Sequence, residues 1–130
     1  MTKTYKVISA IADLREQPDA TALRGKLESQ LNYGELFEVL EDHSDWLKGK
    51  CAHDGYAGFV EKKHLTNTFN AATHIVTAQR SHVYRDATMK SPILMTLGMG
   101  AQVAVVEIGE KFAKLDDGRF IFKDHIAPLS

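Results

Sequence analysis

The chain repeats itself, and that repeat limits what it can fold into. Leu31-Asn32-Tyr33-Gly34 is answered by Leu97-Gly98-Met99-Gly100. Each stretch runs into a β-branched or aromatic segment, with Phe37 and Val39 in the first copy and Val103 and Val105 in the second. A turn then leads to an aromatic residue two positions before a lysine: Trp46 with Lys48, Phe112 with Lys114. Asp54-Gly55 answers Asp117-Gly118, Phe59-Val60 answers Phe120-Ile121, and Lys63-His64-Leu65 answers Asp124-His125-Ile126. Ahead of the copies stand Ala12-Asp13-Leu14-Arg15 and Ser81-His82-Val83-Tyr84. Self-similarity over tens of residues marks a chain assembled from copies of one supersecondary unit. The copies cover roughly residues 7–66 and 74–130. They predict a first domain at 1–66, a linker at 67–73 and a second domain at 74–130. The linker is polar or small apart from Phe69, whose ring is expected to pack between the copies. A domain of about 60 residues has a small core, so the two are expected to pack against each other.

Each copy reads as β-structure. Glu35 to Leu40, His74 to Ala78, Ala101 to Val106, Phe112 to Leu115 and Arg119 to Phe122 are strand candidates. Asp54-Gly55 and Asp117-Gly118 are hairpin turn signals, because glycine takes positive φ readily. Short strands with turns about every 8–12 residues predict a small all-β barrel or sandwich. Leu23, Leu27 and Leu31 fit a helical period after Asp19, an N-cap candidate. Gly25 interrupts that pattern, and Leu27, Ser29 and Leu31 also fit period two. A loop through Gly25 followed by a short strand is the favoured reading.

Composition removes whole classes of function. Sixteen basic residues face seventeen acidic ones, a formal net charge of -1. That leaves no surplus of cations for nucleic-acid binding or for a polybasic membrane anchor. No apolar run approaches the roughly 20 residues that cross a bilayer, so no membrane insertion is expected. No signal-peptide block follows Met1 to Lys6, because Asp13 and Arg15 interrupt it. The sequence alone therefore suggests a cytoplasmic chain. Cys51 is the single cysteine, which excludes an internal disulfide.

The doubled pattern resembles tandem bacterial SH3 (SH3b) domains. The first copy carries the resemblance in Ala12-Asp13-Leu14-Arg15 with Pro18, Leu31 with Gly34, Trp46-Leu47-Lys48, Gly55-Tyr56-Ala57-Gly58-Phe59-Val60 and Leu65. The second keeps His82-Val83-Tyr84, Leu97, Gly100, Phe112-Ala113-Lys114-Leu115 and Gly118-Arg119-Phe120-Ile121, with Arg119 where the first has Gly58. The tandem is similar to the non-catalytic front of NlpC-type cell-wall cysteine peptidases. The resemblance implies an all-β fold of two tandem small SH3-like barrels. It also implies two partners: a peptidoglycan stem peptide or cell-wall fragment, and a C-terminal cysteine peptidase domain. The family's Asp-Cys-Ser-Gly nucleophile motif does not occur. The chain stops at Ile126-Ala127-Pro128-Leu129-Ser130, where a linker to the next domain is expected. A free-standing tandem is one reading. The other is the targeting part of a peptidoglycan γ-D-glutamyl-diamino acid endopeptidase, acting at the cell envelope if exported.

The residues themselves offer little catalysis. Cys51-Ala52-His53 could be read as a thiol–imidazole pair, but a buried small hydrophobe in a strand is the favoured reading. Six histidines are scattered without ligand spacing, so no metal is expected. His64 and His125 hold equivalent repeat positions, which points to a structural role. Gly98-Met99-Gly100 precedes a strand-like segment instead of a helix, so no nucleotide cofactor is expected.

What remains is an aromatic and polar set suited to a shallow peptide groove. The candidates are Asp13, Arg15, Tyr33, Trp46, Asp54 and Tyr56 in the first copy, and Tyr84 and Arg85 in the second. Asp13 and Asp54 could meet the amino group of a stem peptide. Trp46, Phe59, Phe112 and Phe120 could line the same groove, with core packing the favoured reading for all four. Met89, Pro92, Ile93, Leu94, Met95 and Met99 crowd one segment. They fit either burial against the first copy or docking of a following domain. The expected function is a non-catalytic module that binds wall peptide, or docks and positions the peptidase. An intracellular protein-interaction adaptor is the alternative.

Overall fold

The computed structural model describes residues 3–18 and 27–129. Among these no α-helix occurs, and the regular structure is β-strand apart from two short 3-10 turns. Two compact units divide it, Met1–Phe69 and Asn70–Ser130.

The first unit holds β1 (Lys3–Val7), β2 (Ile11–Arg15), β3 (Leu27–Asn32), β4 (Leu36–His43), β5 (Trp46–Cys51), β6 (Ala57–Glu61) and β7 (Leu65–Thr66). A 3-10 turn at Lys62–His64 joins the last two. The strands form one sheet in the order β3-β2-β6-β5-β4-β1-β7, with every pairing antiparallel. Leu31 from one edge strand and Leu65 from the other belong to a single buried cluster, with Val7, Ala12, Leu14, Phe37, Leu47, Cys51 and Val60. A flat sheet cannot bring its two edges to one core. The sheet therefore coils, as the twist of β-strands favours. A bulge between Val39 and Glu41 in β4 adds to that bend.

Two glycines let the strands close in. Gly49 and Gly58 face each other across β5 and β6. A Cβ on Gly49 would collide with the Glu38 carbonyl and come within 2.9 Å of the Phe37 ring. One on Gly58 would lie 2.6 Å from the Arg15 carbonyl oxygen. At position 119, where the second unit lacks this glycine, the arginine is instead held at the turn. Its backbone N–H and its guanidinium both bond Asp117.

The second unit holds β8 (His74–Val76), β9 (Arg80–Tyr84), β10 (Ile93–Gly98), β11 (Gln102–Val103), β12 (Val105–Ile108), β13 (Phe112–Leu115), β14 (Phe120–Phe122) and β15 (Ile126–Pro128). Its sheets run β10-β9-β14-β13-β12 and β11-β8-β15. Val76, Val83, Leu97, Val103, Ala113, Leu115 and Ile121 are buried within it. The segment Ala101 to Val106 is not the single strand expected from its composition. Ala104 divides it, so that β11 pairs with β8 and β12 with β13. The strand expected at Leu27 to Leu31 forms, whereas the loop expected through Gly25 lies outside the described residues.

The same bonds recur in both units. The Gly34 N–H donates to the Val7 carbonyl and the Gly100 N–H to the Val76 carbonyl, each at 2.9 Å. Both glycines sit at positive φ, 89° and 95°, which other residues adopt only with strain. The Ile8 and Thr77 N–H groups donate to the carbonyls of His64 and His125, each at 2.9 Å. The two imidazoles then bond serine hydroxyls, His64 to Ser9 at 2.6 Å and His125 to Ser81 at 2.9 Å. These histidines thus tie the last turn of each unit to an earlier segment. Among the described residues no helix is long and apolar enough to cross a membrane.

Candidate binding faces

Strand register decides which side chains meet. In the first unit Leu47 opposes Val60, and both enter the core. Their neighbours must point the other way. Lys48 opposes Phe59, Phe59 opposes Arg15, and Trp46 opposes both His43 and Glu61. These residues share the outer face of the sheet. The expectation that Trp46 fills the core is therefore corrected, while Phe59 is buried as expected, but from the outer side. Phe59 is only 9% exposed, but neighbours on the outer face cover it. The His43 ring meets it edge-on at 5.2 Å, and the Lys48 ammonium lies 5.9 Å from its centroid.

The charges on this face satisfy one another. Arg15 pairs with Asp13 at 3.0 Å, and the Gln30 amide donates to the other Asp13 oxygen at 2.9 Å. Glu41 takes His43 at 2.8 Å and Lys48 at 3.7 Å. The hydrogen bond from His43, then the charge of Lys48, hold the Glu41 carboxyl below its usual range. Asp42 is lowered in the same sense by its hydrogen bond from Lys62, at 3.1 Å.

The six groove candidates of the first unit do not gather in one place. Asp13, Arg15 and Trp46 share the outer face. Asp54 and Tyr56 sit in the β5–β6 hairpin, at the far end of β5 from Trp46. There the Asp54 carboxylate accepts the Tyr56 N–H at 3.1 Å, and the Tyr56 ring is exposed. Tyr33 is buried beside the buried Lys6, whose ammonium lies 5.0 Å from the ring centroid. Both Asp13 oxygens are engaged, by Arg15 and by Gln30.

In the second unit Tyr84 and Lys114 flank Phe120, Phe112 opposes Phe122, and Glu107 opposes Lys114. Phe112 and Phe120 thus also stand on the outer face; Phe112 is buried there, as expected of it, whereas Phe120 is only half-buried. Phe112 meets Tyr84 edge-on at 5.7 Å and Phe122 at 5.9 Å. Tyr84 is itself buried in this row, while Arg85 is exposed and paired with Asp86 at 3.1 Å. A cavity of about 450 Å³ opens over the rings, lined by Glu107, Glu110, Lys111, Phe112, Lys114 and Phe120 among others. Reasoning from sequence missed these four charged residues. The signal was present in their alternation with the rings, but the register that unites them was not.

Cys51 faces the first core. Burial, then the negative charges of Asp54 and Glu35, push its thiol up to about 12. A nucleophilic cysteine needs the opposite shift. Cys51 is a packing residue.

Residues 14–65 match the family model of the bacterial dipeptidyl-peptidase SH3 domain. No curated protein matches the sequence. The fold is similar to the crystal structure of an NlpC/P60 family protein from Bacillus cereus, with a TM-score of 0.73 at 15% identity. That likeness covers 96% of this chain and 56% of the other, so the chain spans little more than half of that protein's length. NlpC2 and NlpC1 from Trichomonas vaginalis align over 98% and 97% of this chain and 48% and 45% of theirs. Their TM-scores are 0.41 and 0.42, at 8% and 9% identity. Residues 14–65 thus resemble a bacterial SH3 domain, in a chain whose fold is similar to that of an NlpC/P60 family protein.

Proposed function

We propose that the chain is a tandem SH3b module, with domains at 1–66 and 74–130 joined through 67–73. Without catalysis of its own, it binds cell-wall peptide and positions an NlpC-type cysteine endopeptidase domain at the envelope. The recurrence of one architecture carries this reading. The first unit matches a bacterial SH3 domain. The second shares its turn bonds, its histidine–serine contact and its outer row of ring and lysine. Outer faces that carry aromatic rings among charges suit extended peptides, which they hold by stacking and polar contacts. The docking half draws on Met89, Ile93, Leu94 and Met99, which stay exposed instead of joining the second unit's core.

The test uses the intact chain in two arms. Sedimentation with purified peptidoglycan should deplete it from solution. Mixing with an NlpC-type catalytic domain in trans should give a complex on size exclusion. Failure of both arms, with cytosolic proteins captured instead, would overturn the reading and favour an adaptor.

A further inference from the structure

The two outer faces differ in what they leave unspent. On the first, Lys48 is held by Glu41, Glu41 by His43, and Arg15 by Asp13. On the second, Lys114 stands opposite Phe120 as Lys48 stands opposite Phe59. Yet Glu107, Glu110, Lys111 and Lys114 form no ion pair with any described residue. All four line the cavity over Phe112 and Phe120. We infer that this cavity is a binding site for a short peptide that carries both a free amino group and a free carboxylate.

Three observations support the inference. The volume, about 450 Å³, falls within the roughly 300–1,000 Å³ of small-ligand sites. The floor is preorganised, because Tyr84 and Phe122 hold the Phe112 ring edge-on from two sides, which lowers the ordering cost of binding. The rim carries two cations and two anions. A ligand of a single sign would meet repulsion from two of them. A zwitterion finds a partner for each end and lays its side chains over the rings. This inference deepens the peptide-binding half of the proposal above and rests on it for the choice of peptide.

The experiment titrates the intact, 15N-labelled chain with two probes, the dipeptide alanyl-glutamate and a soluble peptidoglycan stem tripeptide. Amide shifts are expected at Glu107, Phe112, Lys114 and Phe120. Acetylating the amino group, amidating the terminal carboxylate, or Lys114→Gln should each weaken binding about fivefold, as expected for a solvent-facing ion pair. Phe120→Ala should abolish the shifts; Lys114→Gln keeps the ring floor and guards against misfolding as the cause. Silence at these four amides with both probes, or binding indifferent to capping, overturns the inference. If the stem peptide binds on the first unit alone, the inference falls and the proposed function stands. If alanyl-glutamate fills the cavity while the chain ignores wall material and the catalytic domain, the site stands and that function falls.

Discussion

Cys51 is the residue whose chemistry the fold alters most. With its thiol raised from 9.0 to about 12, it should resist alkylation at pH 8 in the native chain and react fully in urea. The raised value also sets a pH dependence. Below pH 9 the thiol is protonated in both states and its contribution is intact. Between pH 9 and about 12 the unfolded thiol loses its proton first, so stability falls as pH rises. Chemical denaturation of wild type against Cys51→Val should show wild type losing ground only above pH 9. A gap that stays constant with pH would refute this. Glu41 runs the other way. Its lowered carboxyl contributes stability above the usual carboxylate range, and that contribution is lost as pH falls through the lowered value. Its 13C-detected titration should move upward in His43→Ala, the variant that removes the largest cause. The effect on stability should be slight, because the pair is exposed.

At the scale of the element, close strand approach at a glycine is the feature most open to attack. Gly49→Ala would drive a methyl into the Glu38 carbonyl and the Phe37 ring, and neither is the loose end of a flexible chain. Overpacking of this kind costs about 1–3 kcal/mol, and a urea midpoint shifted down by that amount is expected. Alternation and Asp-Gly turns made β13 and β14, and the strand around Cys51, legible in the sequence. The break at Ala104 was not legible. Nothing in Ala101 to Val106 says that its two ends pair with strands from different sheets. The rings misled for a related reason. Size suggested that Phe59, Phe112 and Phe120 fill the core; Phe59 and Phe112 are buried, but register sets all three on the outer face.

At the scale of the molecule, the first unit draws its buried cluster wholly from its own residues. A fragment of residues 1–69 should therefore unfold cooperatively by itself. Its stability should be a few kcal/mol, as a domain of this size allows. A fragment without dispersed amide resonances would show that the unit cannot stand alone. The hairpin glycines and the similarly bonded His64 and His125 could be read from the sequence. The gathering of the groove candidates could not. Tyr33 is buried with Lys6, Tyr56 and Asp54 occupy a hairpin, and Asp13 is consumed by Arg15 and Gln30.

The sequence by itself determined many of the strands and the Gly turns, because these depend on alternation and on φ preferences local to a few residues. Tertiary structure decided which charges cancel and which remain open to a ligand. Lys48 and Lys114 occupy matching positions in the text of the chain. Only the register of the β4–β5 hairpin gives the first a carboxylate partner, while the second stands over a cavity.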